Sequence, residues 1–428
     1  MQYTPSIYKL SNGLNVILDD FDIATTHVQI DIHSGANDET TDTEFGITHF
    51  IEHMLSKGTR QHPDTQDIST NIASSIGASR NAGTTYNKLC LFGRVLAENL
   101  NQLLELFSEQ LRDSLFDQQK IEIERGVILD EYRRKTMDNV STFNIFSYEK
   151  LFGTHNLLGT PDTIKSFLRE QLVYYFYKIL SAQNMTICIS GKIIDSEKTL
   201  QHLEQLFGWI PSFPVHHTQQ KIIPIVAHNP KNNQANIQLR IAFENTIPTD
   251  LQHRPQTLAA NRFSFLLEKK LYEILRNKLG LTYGVSTTHF GHANVYTNTI
   301  NTSTSPQNID TVIAAIAREC ATVRMKPEIS DDDVARLCML MKLQFADIME
   351  SASKRCGKLL EHWHQYGALY DLMGEMYIND QMTKSNIIDA TKDFFTPPAS
   401  ILTQGPEISS DLQKIWNDNF TTKGVYNV

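Results

Sequence analysis

The signals for strands and helices run through this chain twice in the same order. In the first half, strand-like runs at Leu14–Leu18 and His27–Ile32 precede a turn around Gly35, Asn37 and Asp38. The apolar spacing then becomes helical over Phe45–Leu55, with Lys57 and Gly58 as a stop, and again over Asp67–Ile76, closed by Gly77. Strand character returns over Thr85–Val95. The pattern next predicts long helices over Glu98–Leu111 and Gln118–Met137, a helix over Pro161–Leu180, and a strand at Met185–Ile189 followed by Gly191. Pro211, Pro214, Pro224 and Pro230 punctuate a stretch that reads as a linker. Beyond it come a strand at Ile237–Ala242, a long helix over Pro255–Leu279 and strand-like residues over Tyr283–Thr302. Helices over Gln307–Val323, Asp331–Met349, Ser351–Leu369 and Ser385–Phe395 lead to a last strand, Ile401–Thr403. A chain so ordered is expected to be α+β: two homologous α/β-roll domains, 1–210 and 231–428, joined by a linker at 211–230. Each would be a mostly antiparallel sheet backed by helices.

Composition narrows the function classes. With 428 residues, 41% apolar and 20% charged, the chain has the makings of ordinary packed domains. Its net charge of −9 speaks against nucleic acid and leans mildly toward basic peptides. The longest plausible apolar run, Leu172–Tyr177, is far short of the ~18 residues of a membrane span. Lys9 is followed by no apolar segment, and Asp19, Asp20 and Asp22 precede Arg60, the first arginine, so neither a secretory leader nor a basic transit peptide is expected. Cys90, Cys188, Cys320, Cys338 and Cys356 are odd in number and irregular in spacing, as free buried thiols would be. These features point to a bacterial-type cytoplasm, or to a processed organelle protein.

The segment that carries chemistry is Gly46-Ile47-Thr48-His49-Phe50-Ile51-Glu52-His53. At 100° per residue on a helix, His49 and His53 lie about 40° apart and Glu52 about 60° from His49, so all three project from one face. Two imidazoles one turn apart can grip a zinc ion, and a carboxylate beside them can hold water and take its proton. Phe50 and Ile51 point elsewhere, into the core. Farther on, Glu124 and Glu131 stand seven residues apart on one helix face. Read alone, that spacing also describes a solvated acidic stripe.

With these residues the chain resembles the pitrilysin/insulinase family of inverted-motif zinc metallopeptidases, which includes the mitochondrial processing peptidase. The resemblance extends over nearly the whole chain. It implies that Glu131, 78 residues beyond His53 (131 − 53), is the third zinc ligand after His49 and His53. It implies that Glu52 is the general base. Glu124, in Glu124-Arg125-Gly126-Val127, would hydrogen-bond a ligand histidine and fix its orientation. Asp130 is the nearest rival ligand, but one residue of shift turns it about 100° off the face. Gly35-Ala36-Asn37-Asp38-Glu39, Lys57-Gly58-Thr59 and Leu158-Gly159-Thr160 also match family segments. Ala78–Thr85 is similar to the family's edge strand, where Asn81 and Ala82 would bind substrate backbone by strand addition; locally it also reads as a Gly/Asn turn.

In the second half, Leu275-Arg276-Asn277-Lys278-Leu279-Gly280-Leu281-Thr282-Tyr283 resembles the family segment whose Arg and Tyr meet the substrate. Arg276 would contact substrate, and the Tyr283 hydroxyl would steady the oxyanion. One departure is plain: Leu258–Leu266 lacks the glycine-rich stretch of related processing-peptidase subunits and carries Phe263 and Phe265 instead. The remaining histidines, His289, His292, His362 and His364, read as packing or surface residues, and Asp38, Glu39, Asp42 and Glu44 read as a solvated loop. The expectation is a zinc-dependent endopeptidase acting on peptides or unfolded, presequence-like segments. Full-length family enzymes join four such domains, so the two here imply a dimer, with itself or with a related subunit. The alternative is a non-catalytic or regulatory subunit of a processing peptidase.

Overall fold

A computed structural model describes residues 4–64, 72–218, 220–248, 250–292 and 295–421. Contacts divide the chain into two units interleaved in sequence. One comprises Met1–Lys135, His155–Thr218 and Gln344–Met373; the other comprises Thr136–Thr154, Gln219–Leu343 and Gly374–Val428.

The first unit is built on a six-stranded sheet. Its order is β1 (Ser6–Lys9), β2 (Asn15–Asp20), β6 (Met185–Gly191), β3 (Thr25–Ile32), β5 (Leu89–Leu96) and β4 (Ser79–Thr84). Only β2 and β6 run parallel. Val16, Leu18, Val28, Ile30, Ile187 and Ile189 point to one face and meet α1 (Ile47–Leu55), α3 (Leu100–Arg112), α4 (Gln118–Met137), α7 (Arg169–Ile179) and α8 (Ser196–Phe207) in a single core. Each such aliphatic side chain contributes about 1.5–3 kcal/mol by leaving water. The opposite face is covered by α12 (Ala352–Tyr366), which packs on β2, β3 and β6. Two covered faces explain why β6 is buried at every residue.

The second unit repeats the plan with five strands: β7 (Val226–Pro230), β11 (Thr396–Gly405), β8 (Ile237–Glu244), β10 (Val295–Thr304) and β9 (Thr282–His292). Here β7 and β11 are the parallel pair. Ile237, Leu239, Ile241 and Phe243 bury one face against α9 (Arg254–Tyr272), α10 (Ile309–Met325) and α14 (Lys384–Phe394). The other face receives α5 (Asn139–Phe152), where Phe143 packs with Ala242 and Leu402. The remaining α-helices among the described residues are α2 (Ala73–Ser75), α6 (Pro161–Ser166), α11 (Asp331–Met349), α13 (Leu372–Asp380) and α15 (Leu412–Asn419).

The α+β class and the paired, mostly antiparallel sheets agree with the sequence reading. Several elements differ from it. The 211–230 stretch is not linker throughout, because Val226–Pro230 forms β7 and pairs with β11. Contacts also do not follow a straight cut into 1–210 and 231–428: α5 packs on the second sheet and α12 on the first, each supplying the cover its sheet's second face needs. The helix expected over Pro161–Leu180 is two, α6 and α7, parted at Phe167 and Leu168. The Arg125 guanidinium bonds the carbonyl oxygens of Ile164 and Phe167 there, groups an unbroken helix would have used itself. The strand expected over Thr85–Val95 begins only at Leu89, after a tight turn from β4. Of the helix expected over Asp67–Ile76, residues 67–71 lie outside those described, and Ala73–Ser75 form one turn.

Candidate metal centre

Helix α1 begins at Gly46, whose φ of 91° suits glycine and where a Cβ would stand only 2.5 Å from the Leu158 carbonyl oxygen. Glu39 holds this start: one carboxylate oxygen accepts from Gly46 N–H at 2.7 Å and the other from Thr48 N–H at 2.9 Å. His155, stacked on Phe45, lies 2.6 Å from Glu39 through Nε2. Burial pushes the Glu39 pKa up against the pull of His155 and the two amides. Glu39 is thus a buried cap rather than part of a solvated acidic loop. Nothing local in sequence announces it, since a carboxylate seven residues before a helix start is outside the usual capping spacing.

Phe50, Ile51, Met54 and Leu55 pin α1 into the core, which turns His49, Glu52 and His53 to the other side. Helix α4 is pinned likewise by Ile121 and Ile128. Glu124 and Glu131 each lie three residues after one of these, so both face α1. His49 Nε2 stands 3.6 Å and His53 Nε2 3.7 Å from the same oxygen of Glu131. Donor atoms of these three residues lie within 4.8 Å of one another, the one such group found among the described residues. A tetrahedral shell of ~2.1 Å bonds sets ligand atoms about 3.4 Å apart, so two imidazoles and a carboxylate at these separations fit zinc.

Glu124 completes the surroundings. It accepts from His53 Nδ1 at 2.9 Å and pairs with Lys57 Nζ at 2.7 Å. Burial works against its carboxylate, but His53 and Lys57 together hold its pKa below the usual range. With Nδ1 so engaged, His53 presents Nε2 to Glu131. Burial would depress the His53 pKa, yet Glu124 and Glu131 overcome it and raise it to about 9; His49, buried and next to His53, is lowered to about 4. A cation bound at these donors would displace the proton that His53 otherwise holds. His49 Nδ1 is buried without a hydrogen-bond partner among the described residues. Asp130, the rival, is turned away and pairs with Arg133 at 2.6 Å.

Glu52 is half-buried, and one of its oxygens accepts from the Thr84 hydroxyl at 2.7 Å. Burial raises its pKa against that hydrogen bond. Thr84 ends β4, the edge strand that also carries Asn81 and Ala82. Of these contacts, Thr84 and His155 are not singled out in the sequence, and Lys57 is read there only as part of a helix stop, because each contact depends on chain segments that only the fold brings together.

Arg276 and Tyr283 belong to the second unit. Arg276 sits in a π-helical turn, Glu273–Lys278, that continues α9, and its guanidinium lies 5.1 Å from the centre of the Tyr283 ring. Tyr283 is the second residue of β9, also an edge strand, and is 83% exposed. His362 and His364 do not form a metal pair: His362 is buried with Nδ1 3.0 Å from the Ala368 carbonyl oxygen, while His364 stacks on His33 with centroids 4.3 Å apart. All five cysteines are free, and only Cys338 is not fully buried.

Comparison with known proteins gives a consistent family. A model described as Insulinase (Peptidase family M16) matches residues 16–145, and one described as Peptidase M16 inactive domain matches residues 166–341. An uncharacterized zinc protease of Rickettsia bellii is 25% identical over 415 residues, spanning 94% of this chain and 97% of that protein. The mitochondrial-processing peptidase subunit beta of Dictyostelium discoideum is 29% identical over 206 residues, 47% of this chain and 43% of that one. The crystal structure of a protease from Helicobacter pylori superposes with a TM-score of 0.80 at 18% identity, covering 95% of this chain and all of that one.

Proposed function

Because the chain belongs to the insulinase family of peptidases, family M16, we propose that it is a zinc-dependent endopeptidase that cuts peptides or unfolded, presequence-like segments. The observation that carries this reading is the convergence of His49, His53 and Glu131 beside a Glu52 carboxylate steadied by Thr84. A zinc ion held by those three residues would polarise the scissile carbonyl and make water acidic enough to attack near neutral pH.

The chain's own groups do the rest. Glu52 takes the proton of the attacking water on the oxygen that Thr84 leaves free. Its raised pKa makes it a better base than a solvated carboxylate, and it then delivers that proton to the leaving amine. Glu124, kept ionised by Lys57, holds His53 in the tautomer with Nε2 bare. The open edge of β4 at Asn81 and Ala82 offers peptide groups to an extended substrate. Arg276 contacts substrate, and the Tyr283 hydroxyl donates to the developing oxyanion. A dimer, with itself or with a related subunit, closes the working chamber, and a cytoplasmic location belongs to the same reading. Among the described residues no helix is long and apolar enough to cross a membrane.

A non-catalytic subunit is the competing reading. The description of the model matching residues 166–341 as an inactive domain favours it. However, His49, Glu52, His53 and Glu131 all lie outside that match, within residues 16–145. Cleavage of quenched fluorescent peptides tests the proposal. Activity is expected in the purified chain, lost on chelation and in Glu52→Gln, with metal content unchanged in that variant. A folded, zinc-loaded chain that cuts no peptide, alone or as a dimer, would support the competing reading.

A further inference from the structure

The second unit contains a cavity of about 420 Å³ between α5 and the strands β8, β9 and β10, with Tyr283 among its lining residues. Its floor is a row across the sheet, since Arg240 of β8 pairs in register with Asn301 of β10, and Asn301 with Ser286 of β9. Phe143 and Asn144 of α5 form the opposing wall.

Arg240 is the unusual member. Its Nε donates to Asn301 Oδ1 at 2.7 Å and its Nη2 to Asn144 Oδ1 at 2.9 Å, and the guanidinium lies 5.3 Å from the centre of the Phe143 ring. Both acceptors are neutral amides. The group with which it interacts electrostatically is the Tyr148 phenol and not a carboxylate. A guanidinium has five N–H donors and stays ionised; beyond these two bonds and the Phe143 ring, three N–H groups and the charge meet no carboxylate among the described residues. Asn144, its oxygen committed to Arg240, and Ser286 and Ser303 with their hydroxyls line the same cavity.

Arg355 is fully buried, and the Asp19 carboxylate accepts from both its Nε and its Nη2. Arg240 has the fork without the carboxylate, and a cavity instead. A planar fork with free N–H groups matches a carboxylate in two-point geometry, and half-buried Arg240 keeps those groups within reach of a ligand in the cavity.

We propose that this cavity binds a carboxylate of the peptide substrate, with Arg240 as its counter-ion. That the ligand is a peptide rests on the peptidase reading, which puts Tyr283 at the substrate; that it bears a carboxylate rests on the cavity alone. Either an acidic side chain or a C-terminal carboxylate supplies the group. The preference runs against the leaning toward basic peptides drawn from net charge, because a local unpaired cation outweighs a diffuse surplus of nine acids.

Fluorescence anisotropy on the full chain, carrying Glu52→Gln to prevent cleavage, reads the binding directly. Three labelled hexapeptides serve: one with a glutamate and an amidated C-terminus, one acid-free with a free C-terminus, one acid-free and amidated. One or both carboxylate peptides should bind roughly tenfold to a hundredfold tighter than the third, and which of them does so identifies the source. Arg240→Gln should abolish the difference. Asn144→Asp, which supplies an internal carboxylate to Arg240, should abolish it too while raising the melting temperature, and decides the matter if Arg240→Gln does not fold. Equal binding of all three peptides, or a preference that survives Asn144→Asp, overturns the site. Cleavage is scored separately: Arg240-dependent binding by a chain that cuts nothing would remove the peptidase reading and leave the carboxylate site standing.

Discussion

The Thr84 hydroxyl donates to Glu52 Oε2 at 2.7 Å and so ties the edge strand β4 to the motif helix α1. The bond fixes one carboxylate oxygen and leaves the other to meet water. Thr84→Val keeps the shape but removes the donor. It is expected to lower kcat/KM about tenfold, the worth of one hydrogen bond to a charged group, with zinc content unchanged. Thr84→Ser should restore most of the loss. Wild-type activity in Thr84→Val would show that Glu52 needs no such support.

The Asp19–Arg355 pair fastens α12 to the first sheet. Ser190 Oγ donates to the same carboxylate at 2.6 Å, and Phe21 lies under the guanidinium with its centroid 3.8 Å from Cζ. Removing one partner strands a buried charge. Arg355→Ala should cost about 3–5 kcal/mol in urea unfolding of the first unit, whereas Asp19→Leu combined with Arg355→Leu should recover most of it. A single-variant cost below about 1 kcal/mol would mean that α12 is held by its apolar face alone.

Acid should loosen the first unit through its buried imidazoles. Burial first, and Arg94 second, lower the His27 pKa to about 4 against the pull of Gln29, while an unfolded imidazole titrates near 6.5. Between those values the unfolded chain binds the proton and the folded one does not. Stability is therefore full above about pH 6.5 and falls as pH drops, by about 2 kcal/mol from His27 alone between pH 7 and pH 5. His33, lowered by burial and then by the charges of His364, Lys88 and His217, and His364, lowered by burial and by Lys88 and His217 against the pull of Asp31 and Asp38, act in the same direction. In His27→Gln the loss of urea stability between pH 7 and pH 5 should shrink by that amount; an unchanged slope would contradict it.

The parts of the fold that local pattern determines were legible. The apolar stripe of α1 faces inward as its spacing demands, and α4 spans Gln118–Met137 as its periodicity predicts. The three-residue offsets from Ile121 to Glu124 and from Ile128 to Glu131 are what turn both acids toward α1. What was hidden depends on distant partners. Nothing in Asn139–Phe152 says that it covers the second sheet, and nothing in Ser351–Leu369 says that it covers the first. The break at Phe167 exists because Arg125, some forty residues earlier, takes the carbonyls. Glu39 looked like one more surface acid because its role is defined by Gly46 and Thr48 amides and by His155, which local spacing does not connect. Arg240 was equally silent in sequence: its neighbours Asn144 and Asn301 are about a hundred and sixty residues apart from each other along the chain.

Metal analysis of the purified chain tests the central claim most directly. The wild-type protein, grown with zinc, should carry about one zinc per chain. His49→Ala, His53→Ala and Glu131→Ala should each lose it while remaining folded, and Glu124→Gln should keep it with roughly tenfold to a hundredfold weaker affinity in chelator competition. A folded wild-type chain free of zinc, or a Glu131→Ala variant that holds zinc as tightly as the wild type, would contradict the account.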